Sequence, residues 1–105
     1  MKILITGGAG FIGSNLAAHL SRKYKIIAID NLSSGIKSQI PKNNNIIFKK
    51  IDINNAKISN YFNKIDIVFH LAAFSSVVEC QDNPEKVIKN NIEGTDKIFK
   101  ICVEK

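Results

Sequence analysis

A short apolar run, Lys2-Ile3-Leu4-Ile5, gives way to Thr6-Gly7-Gly8-Ala9-Gly10-Phe11-Ile12-Gly13, and then to a stretch with helical periodicity. No other feature restricts the fold as strongly. The apolar run predicts a strand buried in a parallel sheet. Ile12, Leu16 and Leu20 recur every four residues and predict a helix over 11–20, with that stripe packed on whatever lies beneath. Gly8, Gly10 and Gly13 between them satisfy G-x-G-x-x-G. Such glycines allow a tight turn, a backbone bare enough for a pyrophosphate to approach, and close packing of helix on strand. The unpaired N–H groups and dipole at the helix start would supply the anion site. A glycine-rich turn that binds nothing is the alternative, and the rest of the chain decides between them.

The second strand signal, residues 25–29, ends in Asp30, twenty residues beyond Gly10. An acid at a strand tip in that register can accept hydrogen bonds from both hydroxyls of an adenosine ribose and would repel a 2′-phosphate, so the expected cofactor is NAD rather than NADP. The same acid could instead cap the next turn.

Bulk properties narrow the classes. The chain has 105 residues, 45% hydrophobic and 23% charged, enough for one small globular domain over 1–105. Its net charge of +6 comes from scattered lysines and a single arginine, Arg22, without a basic patch or aromatic stacking platform, so no nucleic-acid partner is expected. Cys80 and Cys102 have neither metal-site spacing nor a disulfide framework and read as buried or idle thiols in a reducing compartment. The apolar start resembles a signal peptide, but glycines fall where its apolar segment should run, and no apolar run is long enough to span a bilayer. The expectation is a cytoplasmic protein without a membrane partner. In that setting the sequon Asn31-Leu32-Ser33 carries no meaning.

Further along, residues 31–35 form a turn-rich connection, and 36–45 a polar loop with a weak helix signal over 36–40. A third strand is predicted over 46–51, a short amphipathic helix over 56–64 anchored by Ile58, Tyr61 and Phe62, and a fourth strand over 65–71. That last run is almost continuously apolar, which predicts burial on both faces. Ala72 and Ala73 then leave room for a ligand. Asp82-Asn83-Pro84-Glu85 opens a final helix over 84–104, whose predicted stripe runs through Val87, Ile88, Ile92, Thr95, Ile98, Phe99 and Cys102. Asn91 falls inside the stripe; it either satisfies itself on neighbouring backbone or faces the cofactor. Gly94 inside the helix predicts close approach to the sheet. The alternation predicts an α/β fold, a Rossmann-like open parallel sheet, partial, in the order 3-2-1-4 with helices on both faces, and a cofactor crevice between strands 1 and 4.

Residues 6–13, Asp30-Asn31-Leu32, Asp52-Ile53, His70-Leu71-Ala72-Ala73 and Asn91-Ile92-Glu93-Gly94-Thr95 together resemble the extended short-chain dehydrogenase/reductases. Among these the pattern is most similar to the NAD-dependent sugar-nucleotide epimerases and dehydratases, the UDP-glucose 4-epimerase group in particular. The resemblance implies that Gly7, Gly10 and Gly13 shape the phosphate turn, and that Phe11 and Ile12 donate N–H groups to the pyrophosphate. It implies that Asp30 and Asn31 hold the adenosine ribose, helped by Ser33, Ser34 and Gly35, and that Asp52 accepts from the adenine amino group with Ile53 against the ring. Leu71, Ala72, Ala73 and Phe74 would line the cofactor, Asn91 would steady that edge, and Ser76 would lie near a nucleotide-sugar substrate. His70 reads as a packed strand-end residue rather than a catalyst.

The family's chemistry needs Tyr-x-x-x-Lys, because a phenol with pKa near ~10 is a poor base at neutral pH without a nearby cation. Four residues after Tyr24 and Tyr61 stand Ala28 and Ile65, so no catalytic residue is assigned. The expectation is the amino-terminal, cofactor-binding half of a larger enzyme, a fragment inactive by itself. The alternative is a stand-alone nucleotide-binding or assembly module that pairs with a separate catalytic chain. In either case the outer edge of strand 4 would lack a partner, which predicts self-association.

Overall fold

The computed structural model describes residues 1–74 and 77–105. Four parallel strands, β1 (Lys2–Thr6), β2 (Lys25–Asp30), β3 (Ile46–Lys50) and β4 (Ile67–His70), form one sheet in the order β3-β2-β1-β4. The winding reverses between β1 and β4, which opens a crevice at their carboxyl ends. Side chains alternate across the sheet. Ile3, Ile5 and Ile26 therefore face helix α1 (Phe11–Leu20) and pack with Ala17, Leu16 and Leu20. Leu4, Ile27 and Ile29 face the other way, onto Ile53, Ile58, Phe62, Ile98 and Ile101. Full burial of a side chain such as Phe62 contributes about 2 kcal/mol.

Local detail departs from expectation in four places. The helix predicted over 56–64 is a 3₁₀ turn, Ile58–Phe62, anchored by buried Ile58 and Phe62; Lys64, at φ 59°, ends it. The weak helix signal over 36–40 resolves to a 3₁₀ turn, Lys37–Gln39. β4 is not buried on both faces: it lies at the sheet edge, so Ile67 stays 39% exposed and its neighbours are half-buried. A short helix α2 (Val77–Asp82) had no clear sequence signal.

The two helical stripes need correcting too. In α1 the buried face is Gly13, Ser14 and Ala17, while Ile12 is 69% exposed. The helix lies so close to the turn beneath it that only small residues fit there: a Cβ on Gly13 would stand 2.2 Å from the Gly7 carbonyl oxygen. The final helix comprises α3 (Pro84–Val87), a wider π-type segment (Ile88–Glu93) and α4 (Gly94–Glu104). Pro84 stands in its first turn as expected, but Asn83 makes no side-chain cap. Its buried residues are Gly94, Ile98 and Ile101, with Thr95 and Val87 half-buried. Ile88, Ile92, Phe99 and Cys102 of the predicted stripe are exposed. A Cβ on Gly94 would come within 2.4 Å of Ile53 Cδ1, so the close approach expected at Gly94 is to the segment that follows β3 rather than to a strand, and that contact fixes which side of the helix faces inward. Among the described residues no helix is long and apolar enough to cross a membrane.

Candidate cofactor site at the strand ends

The turn after β1 is built by sterics. Gly7 has φ +70°, and a Cβ there would meet the Leu71–Ala72 peptide at 2.8 Å. Gly8 donates to the Ile29 carbonyl at 3.0 Å, and Gly10 to the Gly7 carbonyl at 3.1 Å. Gly10 is the N-cap residue of α1 and offers no side-chain cap, and the first turn carries no acid. The amides of Phe11, Ile12 and Gly13 therefore point out of the helix start with no side-chain acceptor among the described residues, an arrangement suited to an anion.

Asp30 ties this turn to the loop that follows β2. Its Oδ2 accepts from the Ala9 N–H at 2.9 Å and its Oδ1 from the Leu32 N–H at 2.8 Å. Ile36 N–H closes the loop onto the Ala9 carbonyl at 3.0 Å. Gly35 lies against Asp30, where a Cβ would approach Oδ2 to 2.8 Å. Asn31 donates to Asp52 Oδ2 at 3.0 Å and accepts from the Ser33 N–H at 2.9 Å, while Asp52 Oδ1 takes the Asn54 N–H at 2.8 Å.

On the β4 side the wall is held by side chains. The Thr6 hydroxyl oxygen accepts from the N–H groups of Leu71 and Ala72 at 3.0 and 3.1 Å and lies 2.7 Å from His70 Nδ1. His70 Nε2 is 2.8 Å from the Thr95 hydroxyl, and burial pushes the His70 pKa below its ordinary value. Asn91 clamps Phe74 from the final helix: its Oδ1 accepts the Phe74 N–H and its Nδ2 donates to the Phe74 carbonyl, both at 2.9 Å. Lys86 Nζ stands 5.0 Å from the centre of the Phe74 ring.

These segments enclose a cavity of about 490 Å³. Gly7, Gly10, Phe11, Ile12 and Gly13 form one wall; Asp30, Asn31, Ser33, Ser34, Gly35 and Ile53 the far end; Leu71, Ala72, Ala73 and Phe74 the opposite wall. Asp52 lies instead in an adjoining hollow of about 360 Å³, and Asn91 reaches the wall through Phe74 and through Asn90, whose Nδ2 donates to its Oδ1 at 3.0 Å. Ser76 lies outside the described residues. Ile29, Ile51 and Asn90 also line the cavity and were missed. The two isoleucines close apolar strand runs and read as core; Asn90 would have needed the phase of the final helix. Neither tyrosine lines it: Tyr61 packs on the core and Tyr24 sits beneath Lys23, whose Nζ is 5.9 Å from its ring. Among the described residues no group of three His, Cys, Asp or Glu could hold a metal ion.

A parallel sheet with a crevice at its winding reversal, a glycine turn feeding a helix start and an acid at the next strand tip define a dinucleotide-binding fold of the Rossmann type. Residues 3–105 match the sequence profile of the NAD dependent epimerase/dehydratase family, and the chain belongs to that family. It is 43% identical over 111 residues to the dTDP-D-glucose 4,6-dehydratase of Dictyostelium discoideum, an alignment that covers 96% of this chain and 26% of the relative. Among solved structures it superposes on an epimerase from Methanothermobacter thermautotrophicus with a TM-score of 0.92 at 40% identity, covering 95% of this chain and 31% of that one. It superposes on the Thermus thermophilus UDP-glucose 4-epimerase, solved in complex with NAD, with a TM-score of 0.86 at 30% identity, covering 97% and 33%. The chain thus spans a quarter to a third of the length of these relatives.

Proposed function

We propose that this chain is the NAD-binding part of a cytoplasmic nucleotide-sugar epimerase or dehydratase. The observation that carries the reading is the single cavity shared by the open first-turn amides of α1 and the Asp30 carboxylate. The residues present fit the cofactor: the glycine wall offers backbone without Cβ, the helix start offers anion donors, and Asp30 offers an acceptor at the far end. Phe11 and Ile12 bind the pyrophosphate through their amides; Asp30 and Asn31, with Ser33, Ser34 and Gly35 beside them, hold the adenosine ribose. Asp52 accepts from the adenine amino group across the adjoining hollow, and Ile53 packs on the ring. Leu71, Ala72, Ala73 and Phe74 exclude water from the opposite side, held there by Asn91, and Ser76 lies toward the sugar. When bound, NAD supplies a hydride acceptor for the sugar carbon. The proton that must leave the same sugar needs a base, and Tyr24 and Tyr61 stand away from the cavity without a lysine at the required spacing. The free thiols Cys80 and Cys102 suit a reducing compartment.

Calorimetric titration tests the reading. NAD binding is expected with little for NADP, since Asp30 would repel a 2′-phosphate; equal affinity for both, or none for NAD, sinks it. The chain alone is expected to turn over no UDP- or dTDP-sugar, and turnover above a Gly10→Asp control contradicts that. Self-association through the open edge of β4 and the exposed Ile67, Ile92 and Phe99 is also expected, and sedimentation over a concentration series would refute it with a single monomer species.

A further inference from the structure

His70 touches no wall of the cavity, yet its ring sits where three elements meet. Thr6 is fully buried at the end of β1, and its hydroxyl oxygen already takes two N–H bonds, from Leu71 and Ala72. A hydroxyl has two lone pairs and one proton. The Ala72 N–H has no other acceptor among the described residues, and the Leu71 N–H is shared between this oxygen and the Thr6 carbonyl at 3.2 Å, so the hydroxyl proton is the group best placed for His70 Nδ1, 2.7 Å away. A neutral ring that accepts at Nδ1 carries its own proton on Nε2, and that proton goes to the Thr95 hydroxyl at 2.8 Å. Counting donors and acceptors favours this tautomer.

Beyond the ring the path runs along the final helix. Thr95 follows Asn91 by four residues on the final helix, so the two lie on neighbouring turns of one face. Asn91 holds both backbone groups of Phe74. Phe74 ends the short loop whose first residues, Leu71 and Ala72, hang from Thr6. The path from Thr6 through His70, Thr95, Asn91 and Phe74 therefore returns to Thr6. We propose that His70 is a positioning residue for the cofactor loop 71–74, joining β1 to the final helix so that both ends of that loop are held by side-chain hydrogen bonds linked through the helix backbone between Asn91 and Thr95. The link to affinity rests on the NAD reading above; the circuit itself does not.

The ring's tautomer is read first, from long-range proton–nitrogen spectra of the ¹⁵N-labelled chain at neutral pH. A proton on Nε2 is expected, and a proton on Nδ1 overturns the proposal. Amide exchange then reads the circuit. Thr95→Val keeps the shape and removes only the hydroxyl; it is expected to speed exchange at Leu71, Ala72 and Phe74 together, about tenfold each. Acceleration confined to Phe74, or none, overturns the coupling. His70→Phe is expected to speed all three amides, whereas His70→Asn keeps an acceptor near the Nδ1 position and restores Leu71 and Ala72 but not Phe74. Asn and Phe variants with the same exchange pattern would reduce His70 to a packing residue. In NAD titrations Thr95→Val and His70→Phe are each expected to weaken binding about tenfold, and unchanged affinity in both overturns the positioning role. A wild-type chain that binds no NAD refutes the proposed function instead, and the tautomer and exchange results still judge the circuit.

Discussion

The wall of the cavity nearest α1 is shaped by backbone, and the wall nearest the final helix by side chains. On the first side a Cβ on Gly13 would meet the Gly7 backbone and one on Gly35 the Ala9 backbone, and the two oxygens of Asp30 take backbone N–H groups. On the second, Thr6, His70, Thr95 and Asn91 hold a loop that has no glycine of its own. Steric exclusion by backbone cannot relax without moving a strand or a helix. Side-chain hydrogen bonds are each worth about 1 kcal/mol and exchange with water when they open. The first wall is therefore the rigid one, and the second the wall through which solvent conditions reach the site.

Gly13→Ala tests the rigid wall most severely. Its Cβ would be 2.2 Å from the Gly7 carbonyl oxygen, so the start of α1 must lift from the turn. A loss of about 3 kcal/mol in urea unfolding is expected, together with loss of NAD binding. A loss below about 1 kcal/mol would place this wall among the adaptable ones.

The rigid wall is also the one that the sequence announces. Glycines at fixed spacing after an apolar run, with Asp30 twenty residues past Gly10, have few structural meanings, and the four strands and their order follow from apolar runs and right-handed crossovers. The side-chain wall is harder to read. Thr6, His70 and Thr95 are unremarkable residues that meet only in three dimensions, 64 and 25 positions apart. The final helix bears two apolar stripes, one through Ile98 and Ile101 and one through Ile88, Ile92 and Phe99. Periodicity alone does not say which one meets the sheet. The contact of Gly94 with Ile53 decides it, and that contact is long-range. Asn91 was legible as an amide in need of partners, but Phe74 as the partner was not.

Asp30→Asn is the next largest effect. An amide has one acceptor oxygen where the carboxylate has two, so either Ala9 or Leu32 loses its partner and faces an N–H group instead. About 2 kcal/mol of stability should be lost, and discrimination against NADP should narrow. Unchanged stability would mean that the loop after β2 does not depend on this acid.

On the softer wall, Asn91→Leu keeps the bulk of the side chain and frees the N–H and C=O of Phe74. These groups are partly accessible to water, so global stability should fall by only about 1 kcal/mol. Amide exchange at Phe74 should accelerate more than at Ile5 in the core of β1. Equal acceleration at both would show that the two walls open as one unit.

The smallest effect separates the walls by pH. His70 is held neutral by burial, with its native pKa below the ordinary value of 6.5. Several charged groups on the elements around it have partners of their own: Asp66 of the segment leading into β4 accepts from the Lys2 backbone N–H, Lys97 donates to the carbonyls of Asn54 and Asn55, and Asp96 pairs with Lys100, while burial is the cause of the His70 shift. The unfolded chain therefore binds a proton near pH 6.5 that the native chain resists. This contribution is fully present above pH 6.5 and is lost as pH falls through 6.5 toward the lower native value. Protonation also turns Nδ1 into a donor that competes with the Leu71 and Ala72 N–H groups for the Thr6 hydroxyl oxygen. Between pH 7.5 and 5.5, exchange at Leu71 and Ala72, corrected for its intrinsic pH dependence, should accelerate in the wild type, while at Gly8 and Gly10 it should not. In Thr95→Val the same two amides should already be fast at pH 7.5 and change less. Acceleration of equal size at the glycine turn would mean that acid loosens the whole site, and the distinction between a backbone wall and a side-chain wall would fall.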